Sequence, residues 1–421
     1  MIDIRLIREQ ADKVKQNCIN KNTDPAIVDS ILVYDAERRD LIKESEDLKS
    51  QRNSASEEVA SRKKSGEDAT DLIVRMREVG DRIKDLDDRL RDVEEGMQAL
   101  MMIVPNIAHE SVPIGRDADD NVEVRRTGEC IDREHRVDHI EISQRLGILD
   151  FQRGAKVTGA GFGFYVGKGA ALERALINYF LDTNTGRHGF TEMMPPFLAN
   201  ADSLRGTGQL PKSEEDMYYI GKDDLYLIPT AEVPITNFHR NDTLKIEELP
   251  IKYAGYSACF RREAGSYGKE TRGFLRVHQF NKVELVKFTT PDTSYDELES
   301  LVSNVESILA DLGLTYRVIV LCTGDMTFGG SKTYDVEVWS PFEQRWLEVS
   351  SCTNFEDFQA RRSNIRYKPD PKAKPEFVHT LNGSGLATSR IMVALLEQFQ
   401  TPDGHINIPE VLQPYTRFDR I

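Results

Sequence analysis

Apolar residues from Leu72 to Val104 recur at alternating steps of four and three positions. They are Leu72, Met76, Val79, Ile83, Leu86, Leu90, Val93, Met97, Leu100 and Val104. A second register of the same kind runs through Ile31, Tyr34, Leu41, Leu48, Ala55 and Val59, with Arg38, Ser45 and Arg52 in the intervening places. This spacing is typical of a coiled-coil seam. The pattern therefore predicts two long helices with apolar stripes that face each other.

The turn 62-RKKSGED-68, with Ser65 and Gly66 at its centre, separates the two stripes. Asp24 and Pro25 supply an N-cap and a first helical residue for the first helix. We therefore expect one antiparallel helical hairpin of roughly 33 residues per helix, about 50 Å long at about 1.5 Å per residue.

Two narrow helices make no pocket, so the hairpin is interpreted either as a dimerising or spacing coiled coil or as an arm that reaches a partner. Its basic residues are those that would contact phosphates: Arg62, Lys63, Lys64, Arg75, Arg77, Arg82, Lys84, Arg89 and Arg91. Acidic residues alternate with them, as on an ordinary solvated helix surface. Periodicity alone leaves both interpretations open.

A polar segment punctuated by Pro and Gly follows Pro105, and the chain then changes character. Helical stretches at 171–184, 295–312 and 391–400 mix with short alternating segments such as 225-LYLIPT-230, 334-YDVEVW-339 and 345-RWLEVSS-351. Because regular crossover helices do not separate these strands, we expect an antiparallel sheet in an α+β domain. The predicted division is an N-terminal coiled-coil domain at 1–108, a linker at 109–137 and a catalytic domain at 138–421.

Composition narrows the class of protein. The 421-residue chain is 39% hydrophobic and 30% charged, with a net charge of −15. Its five cysteines are scattered without a CxxC pair, and it has neither an apolar run of about 18 residues nor a targeting pattern at MIDIRLIREQ. These features predict a cytoplasmic protein with no membrane span, disulfide framework or cysteine-based zinc site. An acidic chain binds nucleic acid only through local basic patches.

The stretch 260-FRREAGSYGKETRGFLRVHQF-280 concentrates charge and glycine, but it is not a phosphate-binding P-loop. Gly268-Lys269 is followed by Glu270, and Glu263 stands where that motif requires its first glycine. The glycines of 159-GAGFG-163 likewise lack the helix start of a dinucleotide fingerprint.

Strand alternation explains the stretch better. Arg261 and Glu263 share one face of a strand end, and 274–286 continues after a glycine-rich loop. One face of that second strand carries Leu275, Val277, Val283 and Leu285; the other carries Arg276, His278, Phe280, Lys282 and Glu284. Arginine neutralises a phosphate, phenylalanine stacks on a purine and a carboxylate accepts from an exocyclic amine. The polar face therefore suits a nucleotide, although a salt-bridged outer sheet face would look the same.

The stretch resembles motif 2 of the class II aminoacyl-tRNA synthetases, and in detail that of the seryl-tRNA synthetases. Other stretches resemble this family's motifs in the expected order: 188-HGFTEMMPPF-197 motif 1 with Pro196, 230-TAE-232 the amino-acid loop, and 381-LNGSGLATSRIMVALLE-397 motif 3 with Arg390. Together with the N-terminal hairpin, the resemblance covers nearly the whole chain.

The resemblance implies an ATP site. Arg261 would hold the α-phosphate, Glu263 the adenine amine and Arg390 the γ-phosphate, while Phe280 stacks on the ring near the Val277 backbone. The remaining residues that it assigns to ATP are Arg262, Glu348, Val349, Ser350 and Ser351. Glu348 and Ser351 match the family's metal-contacting pair, and their oxygen atoms suit Mg²⁺. Catalysis would rest on Arg261, Arg390 and Glu348.

The resemblance also implies a site for L-serine. Thr230 and Glu232, with Ala231 between them, would lie near the α-amino group. Glu284 and Ser384 would line the pocket for the hydroxyl, with Asn382 close by and Arg261 on the phosphate side. A pocket that hydrogen-bonds the hydroxyl rejects alanine by roughly 10⁴–10⁵, because its polar groups would otherwise stay unpaired.

Each residue taken alone has an ordinary structural interpretation. Ser384 between two glycines is typical of a turn, and Glu348 and Arg390 are typical of a surface. Thr230 to Glu232 fits a strand end or a helix start. His278 is interpreted as structural, because the serine carboxylate is already an anion and needs no base to attack the α-phosphate.

The implied activity is that of a serine–tRNA ligase that forms seryl-adenylate and loads the 3′ end of tRNA(Ser), with tRNA(Sec) as a candidate second tRNA. The hairpin would grip the long variable arm of the tRNA, motif 1 would build a homodimer, and Lys269 and Arg272 would steer the acceptor end. Two rivals stay open: an inactive paralogue that uses its hairpin as an RNA-binding scaffold, and a seryl-like ligase for carrier proteins, which the intact hairpin disfavours.

Overall fold

A computed structural model describes residues 1–132, 136–264 and 273–421. Two compact units make up the chain: residues 2–105, and residues 106–421 together with Met1. Lys269 and Arg272, which are predicted to steer the acceptor end of a tRNA, lie outside the described residues. Each unit is described by itself below.

Residues 2–105 are helical and form the predicted hairpin. The helices are α1 (Ile4–Glu9), α2 (Ala11–Asn20), α3 (Ala26–Ser65) and α4 (Thr70–Met101). The ion pairs Arg38–Glu94, Arg82–Glu44 and Arg62–Asp71 show that α3 and α4 run antiparallel. We call this pair of helices the arm.

The ends of α3 follow the sequence signals closely. Gly66 caps its C-terminus with a left-handed φ of 72°, a conformation that glycine adopts without steric cost. At the N-terminus the helix begins one residue later than predicted. Pro25 is the cap position, and the Asp24 carboxylate accepts from the Ala26 N–H at 2.9 Å.

The predicted seam residues of both helices are buried or half-buried, and Leu41, Leu86 and Val93 form the centre of the seam. One polar pair interrupts it. Ser45 is 3% exposed and donates a hydrogen bond from Oγ to Asp87 Oδ1 at 3.0 Å. Lys49 Nζ donates to the same oxygen at 3.0 Å.

Nine further helices lie in the described part of the second unit. They are α5 (His139–Arg145), α6 (Phe151–Thr158), α7 (Lys168–Gly186), α8 (Ala201–Thr207), α9 (Glu232–Asn237), α10 (Ser294–Asp311), α11 (Phe358–Ser363), α12 (Thr388–Gln398) and α13 (Gln413–Thr416). The three predicted helical stretches correspond to α7, α10 and α12.

Short and long strands alternate with these helices. They are β1 (Val122–Thr127), β2 (Leu149–Asp150), β3 (Phe164–Tyr165), β4 (Thr191–Met193), β5 (Leu198–Ala199), β6 (Tyr219–Ile220), β7 (Leu225–Leu227), β8 (Thr243–Lys245), β9 (Ile251–Phe260), β10 (Gln279–Thr289), β11 (Tyr316–Val320), β12 (Lys332–Ser340), β13 (Arg345–Asn354), β14 (Arg366–Lys368), β15 (Glu376–Phe377) and β16 (His379–Ala387).

Among the described residues, eight strands form the main sheet in the order β1-β11-β12-β13-β16-β10-β9-β4. Their pairings are antiparallel except that of β4 with β9, which is parallel. The predicted antiparallel α+β class is confirmed.

Two sequence predictions need correction here. The segment interpreted as a linker, 109–137, contains β1, which pairs with β11 from Val122 to Thr127 at the edge of the main sheet. The expected strand position of Arg261 and Glu263 is also wrong. β9 ends at Phe260, and Glu263 has a left-handed φ of 51°, which breaks the extended backbone. Likewise β10 begins only at Gln279, so Arg276 and His278 precede it.

The main sheet has one apolar face. Helices α7, α10 and α12 pack on it against Val283 and Leu285 of β10, and against Val336 of β12 and Val349 of β13. Because side chains alternate along a strand, the neighbouring positions of the same strands point to the opposite face. Lys282 and Glu284 of β10 and Glu348 of β13, which are considered next, therefore lie on that opposite face.

None of the helices in the described residues combines the length and the apolar character that crossing a membrane would require.

Candidate functional site

A cavity of about 640 Å³ opens on the face of the main sheet that α7, α10 and α12 leave uncovered. A second cavity of about 170 Å³ adjoins it. The two share the lining residues Arg261, Glu263, Arg276, Lys282, Glu348 and Ser384. Two ligands bound in these cavities would therefore meet at this shared wall.

Most of the residues singled out from the sequence line one or both cavities. Those on the larger cavity are Thr230, Glu232, Arg261, Glu263, Glu348, Ser351, Asn382 and Ser384. Those on the smaller cavity are Arg261, Glu263, Val277, Phe280, Glu348, Val349, Ser384 and Arg390. Segments far apart in the sequence thus converge on one place.

Four of the predicted residues are not among the lining residues. The Arg262 guanidinium lies 5.9 Å from the centre of the Tyr218 ring, and Ala231 packs in an apolar cluster with Ile235 and Val286. Ser350 Oγ donates to the Ser384 carbonyl at 2.6 Å and is buried. The fourth, Glu284, lies beneath the cavity surface.

Arginines surround the smaller cavity. Arg261 lies over Phe280, with its guanidinium carbon 5.1 Å from the ring centre. Glu263 forms an ion pair with Arg276. Arg390 donates from Nε to the Leu275 carbonyl at 3.1 Å and from Nη1 to the Glu348 carbonyl at 2.8 Å. Three guanidinium groups and an aromatic ring thus border this space.

Glu284 is the centre of a buried hydrogen-bond network. It is fully buried, and its Oε2 accepts from Thr230 Oγ1 at 2.8 Å. Its Oε1 accepts from Asn382 Nδ2 at 3.2 Å, and Lys282 forms an ion pair with Oε2. Hydrogen-bonded neighbours from three separate segments hold this carboxylate in one orientation.

Glu232 is a second buried carboxylate on the wall of the larger cavity. It is 5% exposed and accepts from Gln359 Nε2 at 2.7 Å. Burial, reinforced by the negative charge of Glu284, raises the pKa of Glu232 to about 7. A cation bound beside it would favour its ionised form.

A third group of oxygen atoms comes from two neighbouring strands. Asp335 on β12 stands opposite Ser351 on β13, and Glu348 lies nearby. Burial and the charge of Glu348 raise the pKa of Asp335. Asp335 Oδ1 is buried without a hydrogen-bond partner, so it is available to a bound ligand.

Within residues 1–132, 136–264 and 273–421, no group of three or more His, Cys, Asp or Glu residues is arranged to hold a metal ion by itself. Any metal bound at Glu348 and Ser351 would therefore take further oxygen ligands from a substrate. That is the usual situation for Mg²⁺ beside a nucleotide, which keeps few protein ligands.

Some residues of the site were not assigned a role from the sequence. Strand alternation placed Arg276 and Lys282 on the polar face, but a lone charge there is indistinguishable from a surface charge. Asp335 and Gln359 gave no local signal, because their positions in the site depend on the pairing of β12 with β13 and on the placement of α11.

Two family models match the chain. The model for the class II core domain of tRNA synthetases for G, H, P, S and T matches residues 218–399. The model for the seryl-tRNA synthetase N-terminal domain matches residues 1–108. The two matches fall on the part of the chain that contains the site and on the arm, respectively.

Known proteins resemble the whole chain. A serine–tRNA ligase of Chloroherpeton thalassium is 56% identical over 99% of this chain and 98% of its own length. The crystal structure of seryl-tRNA synthetase from Pyrococcus horikoshii complexed with ATP has a TM-score of 0.95 at 38% identity, covering 100% of this chain and 99% of that one. A cytoplasmic serine–tRNA ligase from Naegleria fowleri in complex with AMP has a TM-score of 0.90 at 30% identity, with coverages of 100% and 98%.

Proposed function

The chain belongs to the seryl-tRNA synthetase family, and we propose that its two adjoining cavities bring ATP and L-serine together at their shared wall. It is a serine–tRNA ligase, a class II aminoacyl-tRNA synthetase. Such an enzyme activates serine as seryl-adenylate and passes it to the 3′ end of tRNA(Ser). The observation that carries the site assignment is the position of Arg261, which lines both cavities.

ATP is assigned to the smaller cavity and the shared wall. Phe280 offers a ring for adenine, Glu263 accepts from its amino group, and Val277 and Val349 supply apolar contact. Arg261 and Arg390 border the same space and neutralise phosphate charge. The related enzymes of P. horikoshii and N. fowleri, complexed with ATP and AMP, support this assignment.

The oxygen atoms nearby fit Mg²⁺. Glu348 and Ser351 would hold the ion, and the partnerless Oδ1 of Asp335 is a further donor in the same place. When bound, the ion supplies charge neutralisation for the phosphates. The protein's own contribution is to keep these donors fixed on two paired strands.

L-Serine is assigned to the part of the larger cavity beside Glu284. Glu232 offers a carboxylate to its ammonium group, and Thr230 lies within hydrogen-bonding reach of the same region. Glu284, Asn382 and Ser384 provide acceptors and donors for the hydroxyl. Alanine would leave these groups unpaired, and unpaired buried polar groups are the basis of strong discrimination.

The first reaction then needs positioning and charge stabilisation rather than a base. A carboxylate oxygen of serine attacks the α-phosphorus and forms a P–O bond, while the bond to the bridging oxygen of the β-phosphate breaks and pyrophosphate leaves. Arg261 and Arg390 stabilise the charge that develops. His278 takes no part, because its Nδ1–H donates to the Arg261 carbonyl at 3.0 Å and its backbone N–H to Gly161.

The second substrate is tRNA(Ser), with tRNA(Sec) as a candidate. We assign its binding to the arm, since the match to the seryl-tRNA synthetase N-terminal domain spans residues 1–108 and the tip carries Arg62, Lys63 and Lys64. A cytoplasmic location is part of the same proposal.

A homodimer is proposed on the motif 1 side of the second unit. Within residues 1–132, 136–264 and 273–421, the strand β4 lies at an edge of the main sheet, and no neighbouring strand covers one side of its backbone. Met194, which follows β4, is 86% exposed, and Phe238 is 60% exposed. Exposed large apolar side chains beside a sheet edge are suited to burial by a second copy.

The experiment that tests the function is ATP–pyrophosphate exchange without tRNA, with Mg²⁺ and each of serine, alanine and threonine. Serine should support exchange efficiently, and alanine should do so roughly 10⁴-fold less efficiently or worse. No exchange with any amino acid from folded protein would overturn the proposed chemistry and favour an inactive scaffold paralogue. Serine transfer to a carrier protein instead of to tRNA would favour the carrier-protein ligase.

A further inference from the structure

Lys282 is a buried cation in the middle of the site to which no role has been assigned so far. It lies on β10, is 5% exposed, and lines both cavities. Its ammonium group forms an ion pair with Glu284. A lysine is rarely buried unless it is paired with an opposite charge. Removing one member of a buried ion pair leaves the charge of the other member buried without a partner.

The lone pairs of Glu284 are unevenly used. Its Oε2 accepts from Lys282 and from Thr230 Oγ1, while within the described part of the chain its Oε1 accepts only from Asn382 Nδ2. A carboxylate offers about four acceptor positions, two on each oxygen. Among the described residues, the acceptor position without a donor is therefore on Oε1, which lies buried just beneath the cavity surface, and an ionised carboxylate can only accept there.

Lys282 is also the cation nearest to Glu284 in a region rich in negative charge. Glu284 and Glu232 influence each other electrostatically, and Lys282 and Arg261 offset that repulsion. The thiols Cys259 and Cys352 also lie within electrostatic reach of Glu284. The Arg261 guanidinium lies over the Phe280 ring and donates to the Pro229 carbonyl. Lys282 is therefore the cation that pairs directly with Glu284.

We propose that Lys282 is a specificity-determining positioning residue, which holds Glu284 as an acceptor-only carboxylate with Oε1 open to the hydroxyl of the amino-acid substrate. The inference rests on the proposed function and deepens it. Lys282 acts through Glu284 and not on the phosphate. Its removal therefore affects serine, which carries the hydroxyl, far more than alanine, which does not.

The chain contains a matched control on the same strand. Lys287 is fully buried and donates to Glu297 Oε2 at 2.7 Å and to the Glu297 carbonyl at 3.0 Å, away from both cavities. Lys287→Met thus removes a buried ion pair from β10 without touching the site. It separates a general loss of stability from a loss of recognition.

The test measures ATP–pyrophosphate exchange with serine and with alanine for wild type, Lys282→Met, Lys282→Arg and Lys287→Met. We expect Lys282→Met to raise the KM for serine by about 10- to 100-fold, the worth of a hydrogen bond to a charged group. The KM for ATP and kcat/KM with alanine should stay within a few-fold of wild type. Lys282→Arg, which keeps the cation, should restore part of the serine affinity, and Lys287→Met should leave the ratio of serine to alanine unchanged.

A double-mutant cycle with Glu284→Gln supplies the second readout. If Lys282 acts through Glu284, the double variant is no worse than Glu284→Gln alone. If the effects of Lys282→Met and Glu284→Gln multiply in the double variant, the inference is overturned. It is also overturned if Lys282→Met lowers kcat and loses activity equally with serine and alanine, a result that would indicate that Lys282 acts on the phosphate. An unchanged serine KM in Lys282→Met would overturn it as well.

The two levels of the proposal fail differently. If wild-type protein shows no exchange with serine, the proposed function fails. If wild type is active and only the Lys282 pattern is absent, the inference fails alone. Should Lys282→Met not fold, Lys282→Arg and the charge-free double variant Lys282→Met with Glu284→Gln still decide the question.

Discussion

The arm and the site use charged side chains in opposite ways. In the arm the pairs Arg38–Glu94, Arg82–Glu44 and Arg89–Glu37 lie on the surface, with side chains roughly one-third to three-fifths exposed. In the second unit the pairs Lys282–Glu284 and Lys287–Glu297 are largely withdrawn from water. Exposed pairs contribute about 0–1 kcal/mol, whereas breaking a buried pair costs about 3–5 kcal/mol.

The comparison shows where each unit gets its properties. The arm depends on a narrow apolar seam, and its surface charges form exposed ion pairs that water and salt screen. The site depends on charges fixed in a space with little water, where each one acts strongly on its neighbours. The same residue types should therefore respond very differently to substitution in the two places.

Replacing a site arginine should give the largest effect. Arg261→Gln removes the guanidinium that lines both cavities, and kcat for ATP–pyrophosphate exchange should fall by roughly 10²–10³, as when a donor to developing charge is removed. Arg153→Gln is the control, because its side chain is 80% exposed. If both variants kept wild-type rates, the proposed role of Arg261 in the reaction would be wrong.

A substitution in the seam should rank second and act on stability. Leu86 is 1% exposed and packs with Leu41 and Val93. Leu86→Ala should lower the free energy of unfolding of the arm by about 2–3 kcal/mol, followed by circular dichroism in urea. Val74→Ala, at a position 55% exposed on α4, should have little effect.

The same seam variant, Leu86→Ala, tests whether the arm is needed for transfer to tRNA but not for the activation of serine. Pyrophosphate exchange by Leu86→Ala should match wild type at temperatures where the second unit is folded, while serine transfer to tRNA(Ser) declines. A parallel loss of both activities would contradict the assignment of tRNA binding to the arm.

The third effect concerns pH. Because burial raises the pKa of Glu232 to about 7, its carboxyl group is protonated below that pH and ionised above it. Only the ionised form offers a charge to the serine ammonium group, so kcat/KM for serine should fall by about tenfold per pH unit as the pH drops below 7. Glu232→Gln should be much less active, and its kcat/KM for serine should not show this fall below pH 7.

The smallest effect is expected on the arm surface. Arg82 pairs with Glu44 at 3.0 Å, and both side chains are about half exposed. Arg82→Gln should change the unfolding free energy by less than about 0.5 kcal/mol, and the difference should vanish in high salt. A loss above about 1 kcal/mol in urea titrations would show that arm surface pairs are structural.

The arm was predictable because its information is periodic. Every seam position read from the steps of three and four, including Arg52 and Ser45, is buried or half-buried. Strand β1 was missed for the opposite reason. All six of its residues, Val122 to Thr127, are exposed, so the sequence carries no burial pattern and looks like a linker. Only the pairing with β11 identifies it as a strand.

The site was found through family motifs more than through local chemistry. Thr230, Glu284 and Asn382 converge through the pairing of β10 with β16 and the loop before α9, which no local pattern encodes. Lys282 and Asp335 were overlooked because a single charge on an alternating strand has the same appearance whether it faces solvent or a cavity. The assignment of individual ligand roles stays a prediction.

Ser45 fixes how the two helices of the arm are aligned along their length. Its hydroxyl and the Lys49 ammonium both donate to Asp87, so a polar contact marks one place in a mainly apolar seam. Sliding α3 past α4 by one heptad, about 10 Å, would separate these partners and bring Ser45 opposite Gly80 or Glu94 instead of Asp87. The contact therefore fixes the register of α3 on α4, and with it the position of the basic tip residues Arg62, Lys63 and Lys64 along the hairpin.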